Sequence, residues 1–137
     1  MVMVVGIQRS HAQKMTVKDD AGNVLMQVND EGAQGSIMLP ADTYRCSISC
    51  PAWTANAHKA RLQNITAGTS LLLGTVEFSV DLPTRSWIKG RFTLAVESTL
   101  EIQHRCRVSV APFGYGKAAA GFGDDEIYTM AEFWREK

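Results

Sequence analysis

The sequence predicts an all-β protein that folds as an antiparallel sandwich or jelly roll. No window of twelve or more residues shows a convincing helical stripe, whereas apolar and polar residues alternate along most of the chain. Turn-rich stretches separate the alternating segments at roughly regular spacing. These observations predict eight or nine short strands, each with one buried face, as in two-layer β proteins.

The first half of the chain contains five predicted strands. The segments QKMTVK and NVLMQV flank the turn-rich stretch DDAG, which predicts a hairpin. A short strand follows and is closed by Pro40, and HKARLQNI forms a later strand that ends at the turn TAGTS. Between these, TYRCSISC alternates, with four residues predicted to point inward: Tyr44, Cys46, Ile48 and Cys50.

The segments LLLGTVEFSV and WIKGRFTLAV are the next predicted strands. In the first, one face is predicted to hold Leu72, Val76, Phe78 and Val80, with Gly74 as a bulge or close contact. In the second, one face is predicted to hold Ile88, Phe92, Leu94 and Val96. The three residues EST join this strand to LEIQHRCRVSV, and a link of that length predicts an antiparallel hairpin.

The glycine-rich segment 111–125 is predicted to be a loop, and EIYTMAEFW is predicted to be the last strand. In that strand, one face is predicted to hold Ile127, Thr129, Ala131 and Phe133, and the other Tyr128, Met130, Glu132 and Trp134. A strand at the C-terminus commonly lies centrally in a jelly roll. The chain of 137 residues fits one domain, 1–137.

Charge and hydropathy exclude several classes of function. Fourteen basic and fourteen acidic residues cancel and are scattered, which argues against a nucleic-acid partner. The apolar start MVMVVGI lacks a basic leader and is far shorter than the ~20 residues needed to cross a bilayer. We therefore expect a soluble protein made in a cytoplasm, with no membrane partner.

Three cysteines are too few for a disulfide framework. Cys46 and Cys50 on one strand would have Cα atoms about 13 Å apart, beyond the ~7 Å limit for a bridge. If a disulfide forms, we expect it to join Cys106 to Cys46 or Cys50 on a neighbouring strand, or to cross a subunit interface. The simpler expectation is three small buried thiols.

His104 lies two residues from Cys106 on the inward parity of its strand, which raises the question of catalysis or metal binding. A zinc site would need two further ligands, and a Cys–His nucleophile pair would need an orienting group that cannot be named. We expect His104 to be a buried or interface histidine hydrogen-bonded to backbone or to a polar side chain. No catalytic residue, metal or cofactor is predicted, and the protein is expected not to be an enzyme.

The loop segment GYGKAAAGFGDD does not match a phosphate-binding loop, because Lys117 is followed by alanine and no helix follows. The acidic cluster of Asp124, Asp125 and Glu126 at its end leaves calcium binding open, although its spacing matches no calcium loop. The tryptophans and tyrosines suit either a sugar-stacking platform or a core and subunit interface. Five arginines fall on the outward faces of their predicted strands: Arg45, Arg61, Arg91, Arg105 and Arg107. This leaves open a network of arginines between subunits.

Several stretches in fixed order carry a resemblance to a known module. The most specific are HKARLQN, GRFTLA, EIQHRC and EIYTMAEFW, within residues 36–134. This order resembles a β-sandwich module of tail-fibre, head-fibre and other virion proteins of tailed bacteriophages, which is similar to the trimeric jelly rolls of the tumour-necrosis-factor and complement-head type. The resemblance implies a homotrimer on the virion surface.

The chain begins at Met1 and shows no stalk repeat or coiled coil, which favours a stand-alone decoration, cement or head-fibre protein over a fibre tip. The expected partners are a second and third copy of the chain and a virion protein, such as the major capsid protein or a fibre or tail component. The residues expected at the subunit interface are Arg45, Trp87, Arg105, Arg107, Tyr128 and Trp134.

The alternative is a receptor-binding, lectin-like tail-fibre or spike tip that recognises host glycan. Its expected ligand residues lie in the glycine-rich loop: Phe113, Tyr115, Lys117, Asp124 and Asp125. Residues 1–35 are expected to supply attachment in either case, unless the sandwich itself does so.

Overall fold

The computed structural model describes residues 2–9, 12–18, 24–31, 36–108 and 127–136, with side chains described for 36–108 and 129–136. The described residues form antiparallel strands and no helix. The strands are β1 (Val2–Arg9), β2 (Ala12–Lys18), β3 (Val24–Glu31), β4 (Ser36–Leu39), β5 (Asp42–Ala52), β6 (Asn56–Asn64), β7 (Thr69–Ser79), β8 (Thr84–Leu94), β9 (Ser98–Cys106) and β10 (Ile127–Arg135).

The strands form two sheets. A six-stranded sheet has the order β3-β2-β1-β10-β5-β8, and a four-stranded sheet has the order β4-β9-β6-β7. The C-terminal strand β10 lies centrally, between β1 and β5. The all-β prediction is therefore confirmed, and the two antiparallel sheets are consistent with a sandwich.

The core lies between the sheets, because alternate residues of both sheets point into one apolar cluster. Its buried members are Ile37, Leu39, Tyr44, Cys46, Ile48, Cys50, Ala60, Leu62, Ile88, Phe92, Leu94, Leu100, Ile102, Ala131 and Phe133. The inward set predicted for β5 is confirmed, as is the alternation of β10 over residues 129–134. The predicted hairpin of β2 and β3 is also confirmed.

The predicted hairpin of β8 and β9 is wrong. β8 pairs along its length with β5, whereas β9 lies between β4 and β6 in the other sheet, so residues 95–97 cross from one sheet to the other. A three-residue link suits either connection. Alternation correctly predicts that β8 and β9 each bury one face, but it does not identify the sheet to which each strand belongs. Here the two buried faces line the same core from opposite sheets.

The face predicted for β7 is also wrong in part. Leu72 packs against the core, but Val76, Phe78 and Val80 are each more than 60% exposed. The pairing of β6 with β7 shifts register between Lys59 and Arg61, and such a bulge changes which side chains point inward. Val96, beyond the end of β8, is exposed as well. The predicted close contact at Gly74 is confirmed.

In the part of the chain that the structure describes, there is no helix long and apolar enough to cross a bilayer.

Candidate functional site

The outer face of the six-stranded sheet carries a cluster of aromatic and charged side chains, which we call the tryptophan face. It is formed by outward-pointing residues of β10, β5 and β8. The pairing registers align these residues in three rows: Met130–Ser49–Trp87, Glu132–Ser47–Lys89 and Trp134–Arg45–Arg91. Three strands thus bring together residues that are far apart in sequence.

The apolar part of this face is unusually open. Trp87 is 41% exposed and Met130 is 42% exposed, while Trp134 is half-buried. The Lys89 ammonium lies 4.7 Å from the centre of the Trp87 ring, a cation–π contact. Aromatic residues and methionine are enriched at protein interfaces.

The charged part is organised by one carboxylate. Arg45 and Arg91 lie directly opposite each other on β5 and β8. Their Nε atoms donate to Glu136 at 2.8 and 2.7 Å, so one carboxylate bridges two cations. The hydrogen bonds from Arg91 and Arg45 lower the pKa of Glu136. Arg45, Arg91 and Trp134 border a shallow depression of about 610 Å³.

The structure brings together three of the six expected interface residues: Arg45, Trp87 and Trp134. Tyr128 belongs to β10, but its side chain lies outside those described. Arg105 and Arg107 belong to the outer side of the four-stranded sheet, away from the tryptophan face.

The sequence reasoning missed Glu136, because its partners become apparent only once β5, β8 and β10 are paired. The expected glycan-binding residues all lie outside the described residues: Phe113, Tyr115, Lys117, Asp124 and Asp125.

Comparison with known proteins was negative. No family model matches the chain, and no curated protein and no solved structure is significantly similar to it.

The cysteines lie apart. Cys46 and Cys50 belong to β5, whereas Cys106 ends β9 in the opposite sheet, so Cys106 does not lie on a strand that neighbours β5 within one sheet. All three are free thiols. Burial raises the pKa of Cys46 and of Cys50 to about 12, and also raises the pKa of Cys106. These thiols are therefore protonated near neutral pH and poor nucleophiles.

His104 has a partner that the sequence reasoning did not identify. Its Nε2 lies 2.8 Å from Nδ1 of His58 on β6, and Nε2 of His58 lies 2.7 Å from the Thr84 hydroxyl on β8. If His58 donates to His104, its other nitrogen accepts from Thr84, and the reverse orientation also satisfies both contacts. The expectation of a hydrogen bond to a polar side chain is confirmed, and this chain of contacts links the two sheets.

The surroundings of His58 and His104 disfavour protonation of both rings. Burial and the neighbouring His58 lower the pKa of His104 to about 4. Burial also lowers the pKa of His58, although Glu77 of β7 partly opposes this effect. Cys106 lies opposite His58 in the β6–β9 register. Within 36–108 and 129–136, no group of three or more His, Cys, Asp or Glu side chains is arranged to hold a metal ion.

Acidification is expected to destabilise the fold through His104. In the unfolded chain the pKa of His104 returns to about 6.5. Between the folded and unfolded pKa values, His104 is therefore mostly protonated in the unfolded chain and mostly neutral in the folded protein. The stabilisation is complete above pH 6.5 and is lost as the pH falls towards 4. Between pH 7 and pH 5 we expect a loss of about 2 kcal/mol, measured by urea unfolding at fixed protein concentration.

The control is His104→Gln, which keeps a hydrogen-bonding group beside His58 but does not titrate. Its stability should fall less between pH 7 and pH 5 than that of the wild type. Equal losses in the two proteins would show that His104 does not carry the pH dependence.

Proposed function

We propose that the protein is a non-enzymatic structural component of a tailed-bacteriophage virion, of the decoration, cement or head-fibre type, which assembles as a homotrimer on the particle surface. The observation that carries the proposal is the tryptophan face, where Trp87 and Met130 are exposed beside an arginine–carboxylate network. Exposed apolar surface rimmed by polar groups is typical of protein–protein contacts.

The strand order supports the jelly-roll part of this proposal. β1-β10-β5-β8 faces β4-β9-β6-β7, and from β7 onward successive strands alternate between the sheets. This wrapping is the order expected of a jelly roll, an architecture frequent in viral capsid proteins. The hairpin of β2 and β3 extends the six-stranded sheet beyond β1. We propose that it serves attachment.

The arrangement of reactive groups supports a non-catalytic role. The thiols of Cys46 and Cys50 are buried and protonated. His58 is 2% exposed, and both its ring nitrogens are engaged, one by His104 and one by Thr84. These groups serve packing and cross-sheet hydrogen bonding.

We expect Trp87→Arg to weaken the trimer about tenfold in dissociation constant, about 1.4 kcal/mol, because it buries a charge among apolar groups and beside Lys89. Sedimentation should give the wild type three times the 15.0 kDa of one chain and give the variant a lower mass. The matched control is Phe78→Arg, which changes a 61% exposed ring on the four-stranded sheet and should leave the mass unchanged.

A wild-type monomer, or equal effects of the two substitutions, would contradict assembly through the tryptophan face. Co-sedimentation with phage particles that lack the protein then tests the virion role. Binding to the particle would support decoration, and binding to host cells alone would count against it.

The second candidate is a receptor-binding module of the same fold. It is favoured by the depression beside Trp134, where a half-buried indole lies next to two arginines, a combination suited to stacking a sugar ring and binding its hydroxyls. Tight binding of host glycan, lost in Trp134→Ala with oligomer mass unchanged, would favour this function over decoration.

A further inference from the structure

The outer face of the four-stranded sheet carries a concentrated group of cations. Lys59 on β6 and Arg105 on β9 lie directly opposite each other, and Arg61 is two residues further along β6. All three are exposed, and Arg107 continues the same row beyond the end of β9. Like charges placed directly opposite on neighbouring strands repel and destabilise the pair.

A cleft of about 410 Å³ lies among these side chains, and we call it the cationic cleft. It is lined by Lys59, Ala60, Arg61, Leu73, Gln103, His104 and Arg105. Among the residues that the structure describes, no carboxylate lines it, and Leu73, which is 72% exposed, provides an apolar wall. The volume is within the range of sites for small ligands, about 300–1,000 Å³.

Hydrogen bonds hold part of the cleft in a defined arrangement. Arg61 donates from Nε to the Gln103 side-chain oxygen at 2.7 Å and from Nη1 to the Ser70 hydroxyl at 3.2 Å. The Gln103 amide in turn donates to the Glu101 carboxylate at 2.6 Å. Glu101 is therefore engaged by Gln103 rather than by one of the cations. Arg61 is thus positioned before any ligand arrives, which lowers the entropic cost of binding.

Each sheet has a pair of cations directly opposite each other on neighbouring strands, but the two pairs have different surroundings. On the six-stranded sheet, the opposed cations Arg45 and Arg91 are bridged by Glu136. On the four-stranded sheet, among the described residues, no carboxylate lies within ion-pair distance of Lys59 or Arg105. The cleft therefore has the cations of an anion site without an anion supplied by the described residues.

We propose that the cationic cleft binds the oxyanion of a small ligand, a phosphate or a carboxylate, between Lys59 and Arg105, in the role that Glu136 has on the other sheet. Arg61 supplies a third positive charge, and the guanidinium geometry suits the two oxygens of either group. Leu73 contacts the apolar body that carries the oxyanion. The site is independent of the tryptophan face and of assembly through it.

Calorimetric titration of the full chain, at constant ionic strength balanced with chloride, tests the proposal. The probes are phenyl phosphate and benzoate, which carry the two oxyanions on the same ring, and inorganic phosphate, which has no ring. We expect saturable binding of at least one ring probe. Tighter binding of phenyl phosphate identifies a phosphate ligand, and tighter binding of benzoate identifies a carboxylate ligand.

Arg105→Gln should weaken binding of the preferred probe by about tenfold, and Lys59→Gln by a similar factor. Lys89→Gln removes the same charge from the opposite sheet and should change the affinity less than about twofold. Surface substitutions of this kind have little effect on stability. Circular dichroism verifies that each variant is folded. Absence of saturable binding by every probe, or an equal loss in Lys89→Gln, would overturn the proposal.

Discussion

Replacement of Phe133 by alanine is expected to lower the free energy of unfolding by about 3 to 5 kcal/mol. Phe133 is fully buried on β10, between β1 and β5. Its ring packs edge-on against Phe92 of β8 at a centroid distance of 6.3 Å, and Phe92 in turn stacks on Tyr44 of β5 at 5.6 Å. The substitution therefore opens a cavity where three strands of one sheet share an aromatic cluster. Urea unfolding at neutral pH measures the loss.

The matched control for this change is Met130→Ala, on the same strand but on its outer face. Met130 is 42% exposed, so its truncation should cost less than about 1 kcal/mol. Similar costs for the two substitutions would show that β10 does not present Phe133 to the core in the register observed. If the protein is trimeric, the comparison is made at one fixed protein concentration, because association adds to the apparent stability.

The alternation of β5 and β10 made their inward residues predictable from the sequence alone. Both strands follow a period of two, and one parity of each enters the core, although Ser49 on the outward parity of β5 is buried as well. Phe133 is an example, because its burial follows from the pattern of its own segment. Its contact with Phe92 does not, since that contact depends on both strands pairing with β5.

The two failed predictions have different physical causes. A period of two identifies a buried face but not the sheet that the face belongs to, so β8 and β9 were wrongly paired as a hairpin. The inward set of β7 failed because the register shift opposite Lys59–Arg61 breaks the period of β7 near Gly74. The glycine predicted a bulge or a close contact there, but not that the inward face would change beyond it.

The candidate site was less predictable than the fold. Arg45 and Trp134 were correctly expected on outward faces, but Glu136 and the partnership of His58 with His104 are long-range pairings. A pairing of this kind depends on strand register, which is set by the whole core rather than by neighbouring residues. Arg105 has the same outward parity as Arg45, yet it faces the other side of the molecule.

Gly74→Ala is expected to cost about 2 to 4 kcal/mol of stability, because it combines overpacking with loss of a buried hydrogen bond. A methyl group at this position would lie 2.6 Å from the Ala60 carbonyl oxygen and 2.7 Å from the Ser86 hydroxyl. That buried hydroxyl accepts from the Ala60 amide at 2.9 Å and donates to the Thr75 carbonyl at 2.7 Å. Displacing it would remove both hydrogen bonds and leave the buried Ala60 amide without this partner.

The appropriate control is Gly68→Ala, in the turn between β6 and β7. Gly68 has a φ of +69° with open space around it, so alanine there adds backbone strain of about 1 to 2 kcal/mol but no clash. Urea unfolding should therefore rank Gly74→Ala as the more damaging change. The opposite order would mean that β7 does not approach β6 and β8 as closely as the structure indicates.

A double-mutant cycle with Ser86→Ala separates the two parts of the Gly74 effect. Ser86→Ala alone removes the hydroxyl and its hydrogen bonds, so it also destabilises the protein. If Gly74→Ala acts mainly by displacing that hydroxyl, the double variant should be more stable than the sum of the single losses predicts, by about 1 kcal/mol or more. Additive losses would instead assign the damage to the clash with the Ala60 carbonyl, which no side-chain substitution can relieve.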